Sequence, residues 1–270
     1  MKKIQRFLVA AALAAPALIA LASCAPKTGQ DKKVLTVGAT PVPHAELLAL
    51  VADDLAAEGI ELKIVEFTDY VTPNVALAEG QLDANFFQHL PYLESFATEK
   101  GLSLVSAFAV HVEPLGLYSG RAKSLEELAD GASIAVPNDP TNEGRALLLL
   151  QAKGLIKLSD AAGLKGTSAD IVENTKKLKF KELEAAQLPR VLQDVDAAVI
   201  NGNYALESGL NPVKDALILE GAESPYANIV AVRAGTENDP RILALAKALR
   251  SEKVKEFILS KYSGGVVAAF

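Results

Sequence analysis

Residues 136–150 read VPNDPTNEGRALLLL. Asn138, Asp139, Thr141 and Asn142 are turn and helix-capping residues; Arg145 follows them, and after Ala146 come four leucines. Caps of this kind satisfy backbone N–H groups that the first helical turn leaves without partners. An arginine at such a helix start favours an anion. The positive helix end attracts it, and the guanidinium grips a carboxylate through two parallel hydrogen bonds. Phosphate is the rival anion, but the segment lacks a glycine-rich Walker pattern. A solvated arginine on an ordinary capped helix accounts for the same residues when they are taken alone.

Polar groups at strand ends strengthen the binding alternative. Residues 80–93, GQLDANFFQHLPYL, and residues 193–206, QDVDAAVINGNYAL, each pass from a helix end through Asp-Ala into an apolar strand and then into polar side chains. Asn201, Asn203 and Asn228 fall on or just after apolar strands, where amides orient the charged ends of a ligand. Tyr70, Phe86, Phe87 and Tyr92 can wall an apolar pocket; each taken singly reads as a core aromatic, and it is their clustering around polar strand ends that favours the pocket. His44, His89 and His111 are the only histidines and have no metal-ligand spacing. A fold can still gather them, so capture of zinc or manganese is the competing chemistry.

The elements that would carry these groups alternate. An apolar strand at 34–39, a helical pattern at 43–58 and an alternating strand at 60–67 make a βαβ start, which predicts parallel pairing. A short helix ending at Gly80, a strand at 82–87 and a helix at 91–100 continue it. The apolar segment 102–118 is broken by His111, Glu113 and Pro114, as one strand leaves a first lobe and another enters a second. From Ser124 the pattern restarts, with a helix at 125–129, a strand at 132–136, a helix at 144–153 and a helical run at 170–177. A strand at 227–233 returns the chain to the first lobe, ahead of helices at 240–249 and 253–262. The expectation is an α/β protein of two lobes, 34–111 plus 229–270 and 112–228. Its ligand cleft lies between the lobes, beyond the carboxyl ends of the strands.

The whole chain narrows the partners. It has 270 residues, half of them hydrophobic, enough for one large core or two modest ones. The formal charge is −6, and removing the three N-terminal cations Lys2, Lys3 and Arg6 leaves −9. Such a body repels nucleic acid and anionic lipid surfaces. MKKIQR precedes an alanine-rich apolar run that ends at LASC, the layout of a secretory signal peptide over residues 1–23. The run is shorter than the ~20 residues of a spanning helix, and Pro16 interrupts it. Residues 24–33 are polar and turn-rich, as a tether is. Cys24 is the only cysteine, so no internal disulfide can form. Gly-x-Ser-x-Gly and His-Glu-x-x-His patterns are absent, which argues against an enzyme; carboxylate pairs are the catalytic device that sequence leaves open.

LASC also resembles the lipobox of bacterial lipoproteins, whose cysteine is acylated. FTDYVTPNVAL, LDANFFQHLPYL, VPNDPTNEGRALLLLQAKGLIKL, LEAAQLPR, AVINGNYAL and SPYANIVAVR, in this order, resemble the NlpA lipoprotein family. That family comprises the methionine-binding subunits of ABC importers. The likeness implies a non-enzymatic, two-lobed, periplasmic-binding-protein-like fold (type II) with no cofactor or metal. It implies closure on L-methionine, with another apolar amino acid as the alternative, and delivery to a permease and an ATPase. It also implies attachment to the extracytoplasmic face of the cell membrane through lipid on Cys24. Carried over by motif, Arg145 holds the carboxylate, and Asn142, Asn201 and Asn228 contact the head group. Tyr70, Phe87 and His89 shape the pocket around the thioether, and Glu113 meets the ammonium. An unliganded Arg145 would then be an uncompensated charge, so the empty cleft is expected to stay open and wet.

Overall fold

Apolar residues alternate from Lys33 onward, and Leu35, Val37 and Ala39 are fully buried in β1 (Lys33–Ala39). The structure, a computed structural model, describes residues 33–221 and 224–270; the signal peptide, Cys24 and all but the last residue of the tether lie outside the described residues. Two helices, α1 (Glu46–Leu50) and α2 (Ala52–Ala57), replace the single helix expected at 43–58, because the backbone at Val51 (φ −100, ψ 3) leaves the helical region. Gly59, at φ +79, turns the chain into β2 (Ile60–Glu66). Then come α3 (Thr72–Ala78), β3 (Ala84–His89), α4 (Leu90–Lys100) and β4 (Leu104–Val112).

The second run opens with β5 (Gly116–Ser119), β6 (Ser133–Pro137) and α5 (Pro140–Ala152). It continues through β7 (Lys157–Leu158), β8 (Ile171–Glu173), β9 (Lys179–Leu183), β10 (Ala197–Ile200), α6 (Gly202–Glu207), α7 (Pro212–Asp215) and β11 (Ala216–Leu219). No helix forms at 125–129. The helical run expected at 170–177 is instead the short strand β8, paired with β7, followed by a turn at Lys177 with φ +52. The chain closes with β12 (Ala227–Arg233), α8 (Pro240–Leu249), α9 (Glu252–Tyr262) and β13 (Val267–Ala268).

Two main sheets result. The first runs β13-β4-β12-β3-β1-β2, with β1 parallel to both neighbours and β12 antiparallel to β3 and β4. The second runs β11-β5-β10-β6-β9. Each has its own core: Leu35, Phe86, Val110 and Val230 in one, Leu117, Ile134, Leu147 and Val199 in the other. The chain passes from the first sheet to the second at 113–115, between β4 and β5, and is back in the first sheet at β12, with Glu220 next to the end of β11 and Tyr226 next to the start of β12. This is the two-lobed α/β arrangement, and the carboxyl ends of β3 and β10 lead into the residues that line the space between the lobes. No helix among the described residues is long and apolar enough to cross a membrane.

Asp196 fixes the entrance of β10. Its carboxylate accepts from the Ser133 backbone N–H at 2.7 Å, the Ser133 hydroxyl at 2.9 Å and Arg121 Nε at 3.1 Å. The Ser133 backbone N–H, first among these donors, holds the acid below the usual carboxylate range. A group with a depressed folded pKa stabilises the protein fully above its unfolded value, here 3.8, and ceases to as pH falls through the folded value. Asp196→Ala is expected to cost about 2 kcal/mol at neutral pH, measured by urea unfolding. The gap between variant and parent should shrink below about pH 4.

Candidate functional site

Arg145, Asn142, Asn201, Asn228, Tyr70, Phe87, His89 and Glu113 all line one cavity of about 20 Å³, with Gln88, Tyr92, Gly202 and Asn203. The cavity is narrow because hydrogen bonds draw the lobes together over it. Tyr70 donates to Asn203 Oδ1 at 2.5 Å, His89 Nε2 pairs with Asn142 Oδ1 at 3.1 Å, and the Tyr204 hydroxyl donates to the Thr68 carbonyl at 3.2 Å. A wider cleft of about 540 Å³ lies outside it and shares Tyr70 and Tyr92. Asp69 and Glu99 from one lobe and Asp139 and Glu184 from the other give that outer cleft an acidic rim. The inner cavity alone joins a buried cation, a buried carboxylate and unpaired amide atoms, so it is the better candidate site.

Helix α5 begins at Pro140, four residues earlier than the sequence pattern places it, because proline suits the first helical turn and Asp139 caps it by accepting from Asn142 N at 2.9 Å. Arg145 therefore sits in the second turn, away from the free N–H groups. Its side chain is 4% exposed. Nε donates to Glu220 Oε1 at 3.0 Å, and Nη2 donates to Glu220 Oε2 and, at 2.9 Å, to the Glu113 carbonyl. The guanidinium also stacks 4.3 Å from the centre of the Tyr226 ring. The expectation of an uncompensated charge in an open, wet cleft is thus corrected: Glu220 neutralises Arg145, and the site is buried. Nη1 makes no hydrogen bond among the described residues and is the free part of the fork. Glu220 was not legible in the sequence, lying 75 positions from Arg145 on the returning segment.

The asparagines divide by what they have left to offer. Asn142 is fully used: Nδ2 donates to both Asp139 oxygens, and Oδ1 accepts from Asn201 Nδ2 at 2.8 Å and meets His89 Nε2. It orients its neighbours. Asn201 Oδ1 and Asn203 Nδ2, by contrast, are buried with no partner among the described residues. Buried polar atoms are nearly always hydrogen-bonded, so this acceptor and this donor on the cavity wall call for a ligand. Asn228 Oδ1 meets His44 Nε2 at 3.1 Å, which leaves its Nδ2 available.

His89 is structural at both nitrogens. Nδ1 accepts from Tyr92 N and caps α4, while Nε2 faces Asn142. Burial first, and then Arg145, lowers its pKa to about 3, so the ring is neutral. His44 and His111 do meet around Glu113, with nitrogens 3.3 Å and 2.7 Å from Oε1. These three are the donor cluster that metal capture would use; His89 is not part of it, and 2.7 Å is an ordinary hydrogen-bond distance. Tyr70, Phe87 and Tyr92 form the apolar wall, with ring centres 5.8–6.2 Å apart. Tyr204 extends it, 5.0 Å from Tyr70.

Comparison with known proteins places this geometry in context. The family model described as NlpA lipoprotein matches residues 35–270. The D-methionine-binding lipoprotein MetQ of Salmonella typhimurium is 46% identical over 256 residues, 92% of this chain and 93% of its own. A solved nutrient binding protein from Burkholderia cenocepacia, bound to methionine, is 52% identical with a TM-score of 0.85, covering 87% of this chain and 100% of its own. An ABC transporter periplasmic substrate-binding protein from Coxiella burnetii is 47% identical with a TM-score of 0.83 and the same coverage.

Removing Glu220 would strand a buried cation. Glu220→Ala is expected to destabilise the protein by about 3 kcal/mol, read from denaturant unfolding, whereas Glu220→Gln, which keeps an acceptor for Nε, should cost less.

Proposed function

The chain belongs to the NlpA lipoprotein family, and from that membership we propose that it captures methionine outside the cytoplasmic membrane and delivers it to an ABC importer. The observation that carries this reading is the set of unpaired polar atoms on the wall of the inner cavity. Among the described residues, Asn203 Nδ2 is an unpaired donor suited to a carboxylate and Asn201 Oδ1 an unpaired acceptor suited to an ammonium group; beside them stand Arg145, whose Nη1 is unbonded, and the Glu113 carboxylate, which is already bonded to His111. The two ends of an amino-acid head group need that combination. Tyr70, Phe87 and Tyr92 supply the apolar remainder, and a polarizable thioether packs well against ring edges. In this assignment Asn142 and His89 act by holding Asn201 and the closed lobes, while Asn228 offers its amide to the head group. The ligand is L-methionine, with D-methionine a close competitor, since the Salmonella relative is named for that enantiomer. Other apolar amino acids are the weaker alternative.

Delivery requires a permease and an ATPase as partners, and a location on the extracytoplasmic face of the cell membrane. Acylated Cys24 supplies the anchor; more than one acyl chain holds stably where a single chain is marginal. The Coxiella relative is named as an ABC transporter periplasmic substrate-binding protein.

Ligand-stripped protein should melt higher with methionine, by about 2.7 kcal/mol of added stability at a hundred times Kd. Arg145→Ala, folded by circular dichroism, should lose roughly a hundredfold in affinity. A melting point unmoved by either methionine enantiomer but raised by zinc would replace this reading with metal capture. Mass spectrometry of membrane-extracted protein should find lipid on Cys24; a free thiol there would refute the anchor.

A further inference from the structure

Glu113 lies on the first crossing segment and is 5% exposed. Burial pushes its pKa up, so the acid stays charged only if donors or cations stand beside it. Oε1 faces His111 Nε2 at 2.7 Å and His44 Nε2 at 3.3 Å. Both rings are neutral at physiological pH: burial lowers His44 to about 4 and His111 to about 3. A neutral imidazole carries one N–H, and its partners determine which nitrogen holds it. His44 Nε2 faces two acceptors, Glu113 Oε1 and Asn228 Oδ1, so it bears the proton, and Nδ1 accepts from the Thr40 hydroxyl at 2.7 Å. His111 donates from Nε2, leaving Nδ1 buried without a partner among the described residues. An unpaired buried nitrogen costs stability. Stability alone therefore does not explain a histidine at 111. Gly202 packs against the same carboxylate: a Cβ there would lie 2.7 Å from Glu113 Cβ and 3.2 Å from Oε2.

Resting on the amino-acid reading of this cavity, we infer that His44 and His111 are positioning residues that hold Glu113 ionised for the ligand's α-ammonium group and so restrict the site to ligands with a free α-amine. The other charged neighbours are Arg145, bonded to the Glu113 carbonyl, and Glu220 behind it. Tyr70 and Tyr262 also feel Glu113, but burial raises both well above their ordinary range and they stay neutral.

The test is titration calorimetry on the ligand-stripped full chain between about pH 5 and 8, with methionine and with its α-hydroxy analogue. The parent should prefer methionine on the order of a hundredfold or more, with affinity falling as pH drops and Glu113 takes up a proton. His111→Leu removes a donor, raises the Glu113 pKa and should move that fall to higher pH while narrowing the preference. His111→Gln, whose amide N–H can replace Nε2–H, should restore both. Thr40→Val, which removes the hydrogen bond that holds His44 at Nδ1 and so loosens its Nε2–H on Glu113, should shift the profile in the same direction by less, and serves where His111→Leu does not fold. Profiles that coincide with the parent's, or affinity lost equally at every pH, would overturn the inference alone. A parent that binds neither ligand would overturn the amino-acid reading with it.

Discussion

A guanidinium buried between two lobes has to be paired, and much of this site follows from how Arg145 is paired. Its partners are not local. Glu220 lies next to the end of β11, where the chain leaves the second sheet, and the Glu113 carbonyl lies where the chain enters it, between β4 and β5. One side chain on α5 thus ties the entry to the second sheet and the exit from it, next to the cavity that α5 helps line. A ligand carboxylate that engages the free Nη1 acts on a group already bonded at both places. In the proposed binding mode this would couple ligand capture to lobe closure through a few ångströms of hydrogen bonds, the kind of bistable contact on which hinge closure depends.

Around that pair the protein uses neutral groups to manage charge. Burial holds His44, His89 and His111 uncharged, so the cavity contains one guanidinium, one carboxylate and a set of amides in place of a crowd of competing cations. Asn142 has no bonding capacity left and works as a hub, fixing Asn201 on its own lobe and His89 on the other. Satisfied and unsatisfied amides thus have different tasks. The saturated ones set the shape of the site, while Asn201 Oδ1 and Asn203 Nδ2 remain unpaired and are the atoms the proposed binding mode gives to a ligand's polar ends.

Much of the architecture was legible because strand and helix periods are local signals. The βαβ start, the restart after Ser124 and the return strand at 227–233 each follow from a few adjacent residues. The polar endings of β3 and β10 likewise pointed to the cavity that they line. Local signals also misled. LEELA at 125–129 has helical composition but forms no helix, and IVE at 171–173 pairs as a strand, its β-branched residues following their own preference. The sequence pattern starts α5 late because Pro140 reads as a turn residue, although proline is favoured in a first helical turn. Glu220 was beyond reach: its pairing with Arg145 depends on tertiary closure across 75 residues, and nothing in LILEGAESPY distinguishes a buried counter-ion from an exposed loop acid. The gathering of His44 and His111 on Glu113 was open to question from sequence for the same reason.

On the proposed reading the inner cavity receives both charged ends of an amino acid, and the outer cleft is only its approach. A crystal structure of the protein grown with methionine tests this most directly. The carboxylate should lie within hydrogen-bonding distance of Arg145 Nη1, the ammonium group at Glu113 and the thioether against Tyr70, Phe87 and Tyr92. Methionine seated in the outer cleft among Asp69, Glu99 and Glu184, with the inner polar atoms untouched, would contradict it.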